Sequence, residues 1–94
     1  MVSLHIEHPI TDFQTWADAF AMFADARRDA GVRAHRVRRP VDDPNYIFVE
    51  LDFDTVEAAT AFRAFLTSVV WAVPENAPAL AGTPRTELLT VEVV

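Results

Sequence analysis

The stretch from Asn45 to Phe65 constrains the fold more than any other part of the chain. In Tyr46-Ile47-Phe48-Val49-Glu50-Leu51-Asp52-Phe53, four apolar side chains (Ile47, Val49, Leu51, Phe53) recur at every second position. Successive side chains of a strand point to opposite faces, so these four form the floor of a core. The other face carries Tyr46, Phe48, Glu50 and Asp52, and two large aromatics among them call for a cover on that side as well. Asp54, or Thr55 one residue on, reads as a helix N-cap, with Glu57 placed to favour the positive helix end. The strand therefore turns directly into a helix that presents Ala58, Ala59, Phe62, Phe65, Leu66 and Val69 and ends by about Val73, before Pro74.

Upstream, Val2, Leu4, Ile6 and His8 alternate with Ser3, His5 and Glu7 in a first strand that stops at Pro9. Thr11-Asp12-Phe13-Gln14 has capping-box spacing, and Phe13, Trp16, Ala17, Phe20, Phe23 and Ala24 follow at helical intervals. One helix over roughly residues 12 to 30 is expected, with Arg27 and Arg28 in its last turn and Gly31 as its stop. Val32 to Arg39 reads as an edge strand guarded by arginines, and Pro40 to Asn45 as the turn of a hairpin. After an irregular segment from Pro74 to Pro84, residues 87 to 94 form a last strand, with Leu88, Thr90 and Glu92 opposite in phase to Glu87, Leu89, Val91 and Val93.

Strand, helix, strand, strand, helix, strand over 94 residues is the order of a single α+β ferredoxin-like βαββαβ sandwich spanning 1–94. Its antiparallel four-stranded sheet has two helices on one face and the first and third strands at its centre. The helix-free face then holds Ser3, His5, Glu7, Tyr46, Phe48, Glu50, Leu88, Thr90 and Glu92. That mixture is too apolar for plain solvent and too polar for an ordinary core, so a second copy facing it across a two-fold axis is expected.

The net charge of −6 argues against nucleic acid or an anionic membrane as partner. The absence of cysteine removes disulfides and thiolate metal sites. No His/Asp/Glu pair has metal-ligand spacing, so no metal is expected, and two glycines leave no phosphate-binding loop. The amino-terminal residues lack the pattern of a signal peptide, and no apolar run reaches the ~20 residues of a membrane span, so a cytoplasmic protein is expected.

In length and element order the chain resembles the dimeric α/β-barrel superfamily, in the branch of the antibiotic-biosynthesis-type monooxygenases. The local segment that carries the resemblance is Glu50-Leu51-Asp52-Phe53-Asp54-Thr55-Val56-Glu57-Ala58-Ala59, a strand leading into a helix that begins with small and acidic residues. The resemblance implies a homodimer and a ligand pocket between sheet and helices that takes a small apolar or aromatic molecule. Residues placed to line it are Trp16, Phe20, Phe65 and Trp71, with Leu80 as a lid and His8 and His35 as candidate catalytic bases. His5, Glu7, Tyr46, Phe48 and Glu50 would form the dimer interface. Haem-degrading relatives bind iron through a histidine in the second half of the chain, and nothing after His35 is a histidine; their first-strand asparagine is missing too.

Histidine titrates near neutrality, which makes it the first candidate for acid-base work. Each candidate also has a plainer reading: the aromatics as core filling, the His5-Glu7-Glu50 group as a satisfied polar cluster. Six of the eight arginines lie between Arg27 and Arg39, which reads either as a site for a carboxylate or phosphate or as a charged helix end beside a protected edge strand. Three functions fit: a monooxygenase or cyclase without a cofactor, acting on a small aromatic or polyketide-like molecule; a non-catalytic ligand-binding or stress-associated dimer; and a structural dimerisation module.

Overall fold

In the computed structural model, which describes residues 1–94, strand β1 (Val2–Pro9) pairs antiparallel with β3 (Tyr46–Phe53) over its whole length, from Val2 opposite Phe53 to Pro9 opposite Tyr46. β2 (Ala34–Arg38) flanks β3 and β4 (Arg85–Thr90) flanks β1, so the sheet runs β2-β3-β1-β4 with every neighbouring pair antiparallel. Helices α1 (Phe13–Met22) and α3 (Val56–Phe65) supply the apolar side chains that pack on one sheet face, and α2 (Ala24–Asp29) follows α1 and contributes the buried Arg27. This is the ferredoxin-like α+β sandwich, with its core built on Leu4, Ile47, Leu51 and Phe53.

The local chemistry differs from the sequence expectation in three places. The expected first helix is two helices: the chain breaks at Phe23, where the Phe20 carbonyl accepts the Phe23 N–H at 3.2 Å and the Arg27 guanidinium Nη1 at 2.6 Å. A side chain bonded into the carbonyl ladder is a recognised cause of a break that contains neither Gly nor Pro. The first cap also shifts: Asp12 rather than Thr11 holds the start of α1, accepting the Thr15 N–H at 2.8 Å. Of the two cap candidates of α3, Thr55 takes the role, accepting the Ala58 N–H at 3.1 Å, while Asp54 takes two hydrogen bonds from Arg33.

The third difference is the phase of the last strand. It spans Arg85–Thr90 rather than residues 87 to 94, and Leu88 lies opposite Leu4, with Thr90 opposite Val2. Leu88 and Thr90 therefore share the helix-covered side, and Arg85, Glu87 and Leu89 lie on the open face in place of the expected Leu88, Thr90 and Glu92. At the end of α2, by contrast, Gly31 acts as expected: at φ +92° it permits the Val32 N–H to reach the Arg27 carbonyl (3.0 Å) and its own N–H to reach Arg28 (3.1 Å). That double closure is a Schellman motif, and it fixes the backbone of Arg27.

Candidate active site

Between the helices and the sheet lies a cavity of about 80 Å³. Its mouth forms where β1 ends. The Ile10 N–H bonds to Asn45 (2.8 Å), the Thr11 N–H to Ala79 (2.9 Å) and the Ala81 N–H to Pro9 (3.2 Å), so the segment around Leu80 is sewn onto the strand end as a cover. The opposite wall comes from the widened turn Leu66–Val70 that continues α3, in which the Trp71 N–H reaches five residues back to Leu66 (2.8 Å). Thr67 and Ser68 hydroxyls bond back to the carbonyls of Arg63 and Ala64 at 3.0 and 2.8 Å, a competition with the helical ladder that favours such widening. The widened turn brings Leu66, Val70 and Trp71 to the cavity.

Fourteen of the seventeen lining residues are hydrophobic, so the three polar ones, His8, Arg27 and Asn76, decide what the cavity can do. His8 is 4% exposed and its Nδ1 lies 2.9 Å from the Pro9 carbonyl oxygen. A carbonyl only accepts, so Nδ1 carries the proton and Nε2 keeps its lone pair. No protein group binds Nε2, yet no buried side-chain nitrogen or oxygen is left without a partner, so Nε2 retains access from the cavity. Burial lowers the His8 pKa below its ordinary value, the bond to Pro9 opposing in part, and the ring is neutral at pH 7. Trp71 stands edge-on to the imidazole at 6.4 Å.

Arg27 is 8% exposed and has no carboxylate partner, unlike Arg28, Arg33, Arg36, Arg38 and Arg85. Its guanidinium carbon sits 3.6 Å from the centre of the Phe20 ring, and burial pulls its pKa down. Asn76 donates through Nδ2 to the Val69 carbonyl at 2.9 Å, which leaves Oδ1 as an acceptor.

Of the residues singled out from the sequence, His8, Trp16, Phe20, Trp71 and Leu80 line this one cavity. Trp16 stacks on Phe20 with ring centres 4.8 Å apart. Phe65 and His35 lie elsewhere. Phe65 packs against Phe62 and Phe23 and borders a separate shallow groove with Ala26, Ala30, Ala58 and Ala61. His35 is exposed and meets only the outer edge of Phe20, 5.3 Å between ring centres. Asn76 was not among the candidates, and Arg27 entered only as one of six clustered arginines read as a carboxylate or phosphate site or as a charged helix end, not as a lining residue of the pocket. For Arg27 a signal existed: Phe13, Trp16, Phe20, Phe23 and Arg27 follow a 3-4-3-4 spacing that puts the arginine on the apolar stripe.

On the open face, His5 lies opposite Glu50 in the β1–β3 ladder. Its Nε2 is 2.7 Å from Glu7 Oε2 and its Nδ1 3.5 Å from Glu50 Oε2. Tyr46 donates its hydroxyl to Glu7 at 3.0 Å, Arg36 reaches Glu50 at 2.6 Å, and Arg38 and Arg85 complete the network at 3.4 Å to Glu50 and Glu7. These contacts lower the Glu7 carboxyl, first through His5, and the Glu50 carboxyl, first through Arg36; burial and Glu7 together raise the Tyr46 phenol. Phe48 lies among them, its ring centre 5.9 Å from His5 and 5.3 Å from Tyr46. No group of three or more His, Cys, Asp or Glu side chains is placed to hold a metal ion, and no helix is long and apolar enough to cross a membrane.

No protein-family model matches the chain, and no curated protein matches it in sequence. Solved structures do match in shape. SnoaB, a cofactor-independent oxygenase from Streptomyces nogalater, is 18% identical and superposes with a TM-score of 0.71, covering 99% of this chain and 94% of its own. A monooxygenase from the gene ActVA-Orf6 of Streptomyces coelicolor, solved with the ligand nanaomycin D, is 12% identical with a TM-score of 0.68, covering 99% and 88%. An antibiotic biosynthesis monooxygenase is 11% identical with a TM-score of 0.69, covering 99% and 100%. The chain shares its ferredoxin-like fold with these oxygenase and monooxygenase structures.

Proposed function

We propose that this chain is a cofactor-independent oxygenase that acts on a small aromatic molecule in the helix-covered cavity, with His8 as its base. The observation that carries the proposal is the free Nε2 of a neutral, buried histidine in an otherwise apolar wall. Such a base can take a proton from a phenol or from a carbon flanked by aryl and carbonyl groups, where the resulting charge is delocalised. The carbanion supplies the electrons that reduce dioxygen: a C–O bond forms, the peroxide takes up a proton, and loss of water leaves a carbonyl. The substrate gains one oxygen and loses two hydrogens, and one water is released. A dry cavity keeps the carbanion from being quenched by bulk water. The structures of similar fold include a cofactor-independent oxygenase, which supports the same reading.

The test is oxygen uptake, with product mass, on a panel of one- to three-ring phenols bearing an activated C–H group. The expected result is uptake by the wild type and a loss of ~10²-fold or more in kcat for His8→Ala, the range of a general base. Equal uptake by the two proteins would overturn the assignment of His8. A product that has lost only water would point to a cyclase using the same proton abstraction, and saturable binding with no product to a ligand-binding protein.

We propose further that the open sheet face pairs with a second copy of the chain, closing a dimeric α/β barrel. Tyr46, Phe48 and Leu89 supply apolar surface there, and the flanking Glu7, Glu50, Arg36, Arg38 and Arg85 carry both signs, as a self-complementary two-fold contact requires.

A further inference from the structure

We propose that Arg27 is an anion-recognition site inside the cavity and that the ligand is an aromatic carboxylate, its ring held among the apolar walls and its carboxylate on the guanidinium. The inference rests on the same cavity as the oxygenase reading but not on catalysis. Five of the six clustered arginines are otherwise engaged. Arg28, Arg33, Arg36 and Arg38 meet carboxylates, and Arg39 lies 4.1 Å over the Phe13 ring. Arg27 alone of the six is buried, and neither it nor the exposed Arg39 meets an acidic side chain.

A structural duty accounts for one of its donors. Nη1 bonds to the Phe20 carbonyl, and the Phe20 ring lies flat enough beneath the guanidinium to offer a cation–π contact. A guanidinium carries five N–H donors, and the remaining ones have no protein partner. No buried side-chain nitrogen is both enclosed and unsatisfied, so these donors keep accessible surface, and Arg27 is among the residues that line the cavity. An unpaired buried cation is costly, which makes an anion that supplies two parallel acceptors a favourable occupant.

The common lining sets where that occupant sits. Arg27 and His8 line the same cavity. An arene whose carboxylate lies on Arg27 therefore places its ring in the space that His8 borders. The walls between are Trp16, Phe20, Val49 and Leu51.

The test compares 2-naphthoate with its uncharged methyl ester by calorimetry on the wild type and on Arg27→Met and Arg27→Lys. The wild type is expected to bind the acid at least tenfold more tightly than the ester. Arg27→Met should lose that preference while still binding the ester, which shows that the cavity persists, and Arg27→Lys should recover part of it. Equal affinity for acid and ester in the wild type, binding of neither, or an undiminished preference in Arg27→Met would each overturn the proposal. Should Arg27→Met fail to fold, the wild-type comparison still decides. Selective binding of the acid without oxygen uptake on any acidic substrate would sink the oxygenase reading and leave this site standing.

Discussion

The Nδ1–H of His8 donates to the carbonyl oxygen of Pro9 across 2.9 Å, and the same oxygen accepts the Ala81 N–H at 3.2 Å. One acceptor thus orients the imidazole and anchors the cover over the cavity. Because burial lowers the His8 pKa in the folded chain, the unfolded chain takes up a proton that the folded one refuses as pH falls below 6.5. Stability contributed by the neutral ring is therefore complete above pH 6.5 and declines below it, levelling off once pH passes the folded pKa. Thermal unfolding of wild type and His8→Gln across this range checks the sign: the wild type should lose stability faster on acidification. The acid limb of any His8-dependent rate should fall below pH 6.5 for the same reason.

Gly82 sits against that anchor. A Cβ built there would lie 2.7 Å from Cγ and 3.3 Å from Cδ of Pro9, and a proline ring is too stiff to swing aside. Gly82→Ala is expected to cost ~1–3 kcal/mol, the usual range for overpacking. It should also move the His8 ring resonances in an NMR spectrum, because the displaced Pro9 carries the imidazole's acceptor. Gly31→Ala provides the contrast, since nothing lies near its Cβ and its penalty comes from φ +92° alone; the His8 signals should stay in place.

The two residues at the start of α3 separate a cap from a surface ion pair. Thr55→Ala removes the acceptor of the Ala58 N–H and should cost ~1 kcal/mol. Asp54→Ala removes only the bond to Arg33, whose side chain is 62% exposed, and should cost less than Thr55→Ala, an effect that vanishes in high salt. Urea unfolding of both variants at low and high ionic strength decides the ranking. A larger loss for Asp54→Ala would return the cap to the aspartate.

Alternation made β3 legible because one phase is wholly apolar: Ile47, Val49, Leu51 and Phe53 are all buried, and their neighbours in sequence are not; β1 reads the same way through Val2, Leu4 and Ile6, with His8 as the polar member of its inward phase. β4 was legible as a strand but not in phase. Leu88, Leu89, Val91, Val93 and Val94 put apolar residues in both phases, so only pairing with β1, Leu88 opposite Leu4, chooses between them. The break at Phe23 carries no Gly or Pro and depends on a side chain four residues later, which periodicity cannot register. The same limit separates Phe65 from Phe62: both lie on the inner side of α3, but only Phe62 reaches the cavity as well as the groove behind it. His8 stood out as a histidine at a strand end, whereas its tautomer required the position of the Pro9 carbonyl.

Phe48 offers the most direct probe of the paired-sheet assembly. Its side chain projects from the middle of β3 on the face opposite the buried Ile47 and Val49, beside His5 and Tyr46 and away from α1 and α3. Replacement by glutamate therefore leaves the helix-covered core intact, and the monomer should keep its circular dichroism. Across a two-fold contact, however, each copy would bring a desolvated carboxylate next to Glu7 and Glu50, adding like-charge repulsion to the loss of an aromatic anchor. Light scattering on the eluted protein should show the wild type at twice the mass of one chain and Phe48→Glu at the mass of one. A wild type that runs as a monomer at micromolar concentration would remove the dimeric barrel, and a dimer that survives Phe48→Glu would move the contact off the sheet face.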